Sequence, residues 1–185
     1  MKRNVVLKSA WCMLLFFIVL SGYSQTSKTR AFQDYQLGRN FKGIKFGSSI
    51  GAVDSKVRLK EYLLGIYEMT NTDYLLYNNI QFHEGVIYFN RDERMYKVAL
   101  YYKINGAGIN DYNKIKNSFL SLFGKNDSEY YINDRTSMNI TWEGENTNIY
   151  IRFSPGDDRI GIVIQDKKVP ETDPIRRDVS GIPKI

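Results

Sequence analysis

The sequence predicts a two-layer α+β fold, in which a mostly antiparallel sheet of seven or eight strands carries two helices on one face. Three observations predict it. Residues 148–165 read as a β-hairpin: Ile149, Ile151 and Phe153 alternate with Tyr150 and Arg152, a Pro155-Gly156 turn signal follows, and Ile160, Ile162 and Ile164 resume the alternation. Residues 85–103 echo it, with Ile87-Tyr88-Phe89 and a charged turn leading into Tyr96, Val98, Leu100 and Tyr102 on one face of a strand. Apolar residues also recur twice at helical spacing, at Ile50, Val53 and Val57 and at Tyr112, Ile115, Phe119 and Leu122.

The elements follow in chain order. Residues 1–24 read as a secretory signal, with Lys2, Arg3 and Lys8 ahead of an apolar run of 11 residues from Ala10 to Leu20, too short to span a bilayer as a helix. Gly22 and Ser24 then occupy the −3 and −1 positions for cleavage before Gln25. The chain is therefore expected to be exported, periplasmic or secreted, with no transmembrane segment after signal removal. Residues 25–40 are polar and read as a flexible lead-in. Residues 41–46 read as a short strand, and Ser49 as the cap of a helix starting near Ile50. Residues 61–72 carry no decisive pattern. Short strands are then expected at 74–77, 79–82 and 86–90, with a tight hairpin at His83-Glu84-Gly85, followed by a turn at 91–94 and a strand at 95–103. Asn110 and Asp111 suit the start of the second helix, and Gly124 suits its end. Strands at 129–132 and 138–142, a turn at 143–146 and the hairpin complete a single domain at 41–166. Residues 167–185, with three prolines and no apolar period, read as a flexible tail.

Laid side by side, 41–104 and 105–166 show one pattern twice: helix, strand, then a three-stranded meander. Tyr74-Leu75-Leu76 aligns with Tyr130-Tyr131-Ile132, and Asn79 to Phe82 with Asn139 to Trp142. Short alternating strands resemble one another by chance, so a tandem repeat and a coincidence both fit. With Phe46-Gly47-Ser48 before one helix and Phe123-Gly124-Lys125 after the other, the pattern resembles the tandem α-β-β-β fold of the β-lactamase inhibitory protein family and its SmpA-type outer-membrane relatives. The strand at 41–47 is also similar to the opening of small exported Bacteroidetes-type proteins of unknown function. The resemblance implies binding of proteins through an open sheet face or loops. It carries no functional residues, because the chain departs from the family in lacking its disulfide, lipid-bearing cysteine and inhibitory loop.

Charge and residue supply exclude several chemistries. Of 26 Lys and Arg, three fall in the signal, leaving 23 against 20 Asp and Glu, too balanced to argue for nucleic acid. The single cysteine, Cys12, also falls there, so 25–185 can form no disulfide and hold no thiol nucleophile. One histidine, His83, cannot supply a His-rich metal site, and its position reads as a surface turn. No cofactor is expected. The acidic pairs Asp92-Glu93 and Asp157-Asp158 fall in turns, where local hydrogen bonding explains them, and Gly106-Ala107-Gly108 reads as a plain loop.

What remains is the sheet face turned away from the helices. If Ile149, Ile151 and Phe153 point inward, Tyr150 and Arg152 point outward; by the same alternation Lys97, Tyr101 and Glu143 share that face. Tyrosine and arginine suit binding interfaces, although tyrosines also stabilise sheets by cross-strand pairing. The expectation is a non-catalytic protein-binding or accessory module whose partner is another exported or envelope protein. A small hydrolase using acidic residues and a structural envelope protein are the alternatives.

Overall fold

A computed structural model describes residues 39–105, 108–132, 137–154, 156 and 158–172; the expected signal and most of the lead-in lie outside them. The described residues belong to one compact unit. Its centre is an eight-stranded, wholly antiparallel sheet.

The chain enters through a two-residue hairpin rather than the expected single strand. Strands β1 (Asn40–Phe41) and β2 (Ile44–Lys45) pair across Lys42 and Gly43, whose φ values of 49° and 81° form the turn. This turn lets Phe41, Ile44 and Phe46 all enter the core. Helix α1 (Ile50–Val57) then buries Val53 and Val57, and starts after Ser49 without a side-chain cap. Residues 61–72, patternless in sequence, complete strand β3 (Leu59–Leu63) and form β4 (Ile66–Met69), paired as a hairpin with Gly65 at φ 74°. Their alternation is obscured by a register irregularity between Glu61 and Leu63 and by apolar residues at the exposed hairpin tip.

Residues 72–82 leave the sheet. A 3-10 turn (Thr72–Leu75) precedes β5 (Leu76–Tyr77) and β6 (Ile80–Gln81), a separate two-stranded ribbon where two sheet strands were expected. The ribbon is tied to the β1–β2 turn and to residue 118 of the second helix. The ammonium of Lys42 donates to the carbonyls of Asp73 and, at 2.8 Å, Leu76, while Asn78 Nδ2 donates to the Ser118 carbonyl at 2.8 Å. Nor do His83-Glu84-Gly85 form a hairpin. His83 joins the sheet, its amide donating to the Tyr101 carbonyl, and β7 (Glu84–Phe89) runs antiparallel to β8 (Met95–Lys103). The turn between them is organised by Asn90 Oδ1, which accepts from the amides of Asp92 and Arg94.

Helix α2 (Ile109–Phe123) buries Tyr112, Ile115, Phe119 and Phe123, so the stripe ends on Phe123 and leaves Leu122 37% exposed. Gly108, not Asn110, occupies its N-cap position. Strands β9 (Ser128–Ile132), β10 (Ser137–Glu143), β11 (Thr147–Phe153) and β12 (Arg159–Asp166) form the second half of the sheet. Trp142, fully buried on β10, donates its indole N–H to the Gly124 carbonyl at 3.0 Å and so ties the helix end to the sheet.

The strand order is β3-β4-β7-β8-β12-β11-β10-β9. It reads alike from either edge: a helix is followed by four strands, and the last strand of each set meets the other at the centre. The proposed alignment of halves therefore needs correction by one strand. By place in the strand order β4, not residues 79–82, corresponds to β10, and residues 72–82 have no counterpart among the described residues of the second half. One apolar cluster joins both halves, from Val53 and Val57 through Ile87, Val98 and Leu100 to Ile140, Ile151 and Ile162.

Candidate functional site

Period-two alternation places three cross-strand rows on the face away from this cluster. Glu84, Tyr101, Gly161, Arg152 and Asn139 follow one another across β7, β8, β12, β11 and β10. Val86, Ala99, Val163, Tyr150 and Thr141 form the next row, and Tyr88, Lys97, Gln165, Asn148 and Glu143 the third. The five residues singled out in the sequence do share this face, but they do not converge. Tyr101, Tyr150 and Arg152 line a groove of about 750 Å³. Lys97 and Glu143 lie in the third row, outside it.

Lys97 is engaged at the end of the face. Its ammonium lies 4.2 Å from the Tyr88 ring centroid and 3.3 Å from Glu171 Oε1. Glu171 belongs to the stretch expected to be tail, and it also accepts from Tyr96 Oη at 3.4 Å and Gln165 Nε2 at 2.9 Å. Residues 167–172 thus turn onto the outer face at the Lys97 end. Glu143 is exposed at the end of β10, where its amide donates to Asp127 Oδ2 at 2.7 Å.

The groove takes its shape from residues the sequence did not single out. Val86 and Val163 form its floor, and Gly161 leaves it open beside Tyr101. A Cβ at Gly161 would stand 3.5 Å from Tyr101 Cε1, ordinary contact, so packing alone does not demand glycine there. Tyr62 and Leu63 form a rim at the tip of the β3–β4 hairpin, 71% and 57% exposed, and Leu64 beside them is 47% exposed. Three consecutive exposed large apolar side chains form an unusual projection for a chain of this size. Arg159, Gly161 and Val163 were legible by the alternation of β12; Tyr62 and Leu63 were not, because their strand had no recognised period.

The groove's charges are mostly paired internally. Arg159 contacts Glu84 Oε2 at 3.2 Å and Asp158 Oδ1 at 3.0 Å, and its guanidinium lies 5.5 Å from the Tyr101 ring centroid. The hydrogen bond from Arg159 holds the Asp158 carboxyl below its ordinary range. Burial, reinforced by the neighbouring Tyr101, pushes the Tyr88 hydroxyl well above its own. Two carboxylates do converge here, but around an arginine that keeps Asp158 ionised. The shift at Asp158 is opposite to the raised carboxyl that a general acid needs.

Elsewhere the candidate groups have structural partners or lie outside the described residues. His83 Nδ1 accepts from the Lys103 amide at 3.0 Å, and its ring meets Tyr102 edge-on. Asp92 and Glu93 are exposed in the β7–β8 turn. Asp157, Gly106 and Ala107 are outside the described residues, among which no cluster of His, Cys, Asp or Glu could hold a metal ion and no helix is long and apolar enough to cross a membrane. No family model, curated protein or solved structure matches this chain.

Proposed function

We propose that the chain is an exported, non-catalytic binding module that receives a protein partner in the groove of its outer sheet face. The observation carrying this reading is the joining of an exposed apolar projection, Tyr62 to Leu64, to a groove walled by Tyr101 and Tyr150 and edged by Arg152. Aromatic and arginine side chains bury much area on docking while losing few rotors, which makes them effective anchors. The resemblance to the β-lactamase inhibitory protein family, where binding runs through an open face or loops, supports the same reading.

A photo-crosslinking residue placed at Tyr62 in the producing cell tests it. A discrete protein adduct is expected from position 62, none from the exposed Ser55 on α1, and the adduct should disappear in the Tyr150→Ala/Arg152→Ala double variant. An adduct pattern unchanged by that double variant would clear the groove of a role.

A further inference from the structure

We infer that the groove takes an extended acidic segment of its partner, laid across the strands with apolar side chains at the Tyr62–Leu63 rim and a carboxylate on Arg152; this rests on the protein-binding reading above. The charge pattern selects the acid. Of the two arginines in the groove, Arg159 is held by both Glu84 and Asp158. Arg152 makes no ion pair among the described residues, and its cross-strand neighbours are Asn139 and Gly161, neither able to neutralise it. A partner that covers Arg152 removes its water, and a carboxylate is the group whose two oxygens match the guanidinium fork. A cation delivered there would meet the like charge of Arg152.

The dimensions select an extended segment. The groove runs from Ile66 on β4 to Arg152 on β11, four inter-strand steps. At about 4.8 Å per step this is about 19 Å, the reach of about six extended residues. Along that path the floor is Val86, Val163 and the bare backbone of Gly161, which allows a close approach of the segment in the middle. The apolar rim and Arg152 are thus at opposite ends, fixing the order of anchors in the partner.

The test uses a blocked octapeptide with two leucines at one end and two aspartates at the other, and a control with lysines replacing the aspartates. Each is titrated into the isotope-labelled protein and followed by amide chemical shifts. Saturable shifts are expected at Gly161, Val163 and Arg152, with the lysine peptide about fivefold or more weaker. Arg152→Glu should reverse the preference, an inversion that a merely structural arginine would not produce; retained amide dispersion shows that the variant folds. Equal affinity for the two peptides, an unchanged preference in Arg152→Glu, or absence of shifts in the groove would overturn the inference. Concentration-dependent shifts of the free protein at the same residues would assign the groove to a second copy of the chain and overturn it too. Should the crosslink from position 62 persist while the peptides show no charge preference, the acidic segment falls and the protein-binding reading stands; loss of both removes the reading beneath it.

Discussion

At Gly108 two constraints meet in one residue. Its φ of +74° lies in the left-handed region, and a Cβ there would stand 2.8 Å from Ile104 Cγ2 and 2.9 Å from the Phe153 ring. At Gly85 the backbone is ordinary, and the close atoms, Met69 Cε at 2.1 Å and Leu75 Cδ2 at 2.7 Å, are the ends of flexible chains. Flexible ends move more cheaply than a ring stacked on Tyr112. Gly108→Ala is therefore expected to lose about 3 kcal/mol, combining backbone strain with overpacking, against about 1 kcal/mol for Gly85→Ala, measured by urea unfolding. Gly85 looked like a turn residue in the sequence because a glycine among short strands usually is one; its role of making room between β7 and Leu75 depends on a residue ten positions away.

Tyr77 is a second residue whose behaviour comes from its surroundings. It lies between Phe41 and Phe119, with ring centroids at 5.7 and 5.8 Å, and burial pushes its hydroxyl up to about 12. Since the folded pKa is raised, the stabilisation from holding the proton is complete below the unfolded value of 10.0 and is lost as pH rises from there through about 12. Tyr77→Phe should flatten the fall of stability across that window by about 2 kcal/mol, read from unfolding curves at each pH. An identical pH dependence in wild type and variant would show that Tyr77 does not titrate there.

At the scale of elements, the beginning and end of the described chain are joined by Asp166. Its carboxylate, with no side-chain exposure, accepts from Arg39 Nε at 2.8 Å and Nη2 at 3.0 Å, and its Oδ1 also accepts from the amides of Lys168 and Val169. Removing the carboxylate takes its acceptor oxygens away from two backbone donors and from Arg39, whereas removing Arg39 leaves the carboxylate two amide partners. Asp166→Ala should cost about 3 kcal/mol and Arg39→Ala about 1 kcal/mol. Amide exchange at residues 168 and 169 should rise much more in the first variant, and equal exchange in both would refute the asymmetry. This link was illegible in the sequence, where 167–185 shows only prolines and mixed charge. Helix α2 was legible because Tyr112, Ile115 and Phe119 report a period that its own backbone imposes. Strand β3 was not, because an edge strand exposed along most of its length, with a register irregularity, has little period to show.

At the scale of the molecule, the strand order reads alike from both edges and brings β8 and β12 together at the centre, so residues far apart in sequence share each outer row. That is how Tyr101 comes to lie opposite Gly161, and Gly161 opposite Arg152. The alternation of apolar residues by itself determined the fold class, the second helix and the outward direction of Lys97, Tyr101, Glu143, Tyr150 and Arg152, because a strand must turn successive side chains to opposite faces. Which of those five meet was decided only by tertiary structure. Periodicity orders side chains along one strand but is silent on which strand lies beside it, on the departure of residues 72–82 from the sheet, and on the rim that the β3–β4 tip adds. The groove belongs to pairings among strands, and local sequence does not encode those pairings strand by strand.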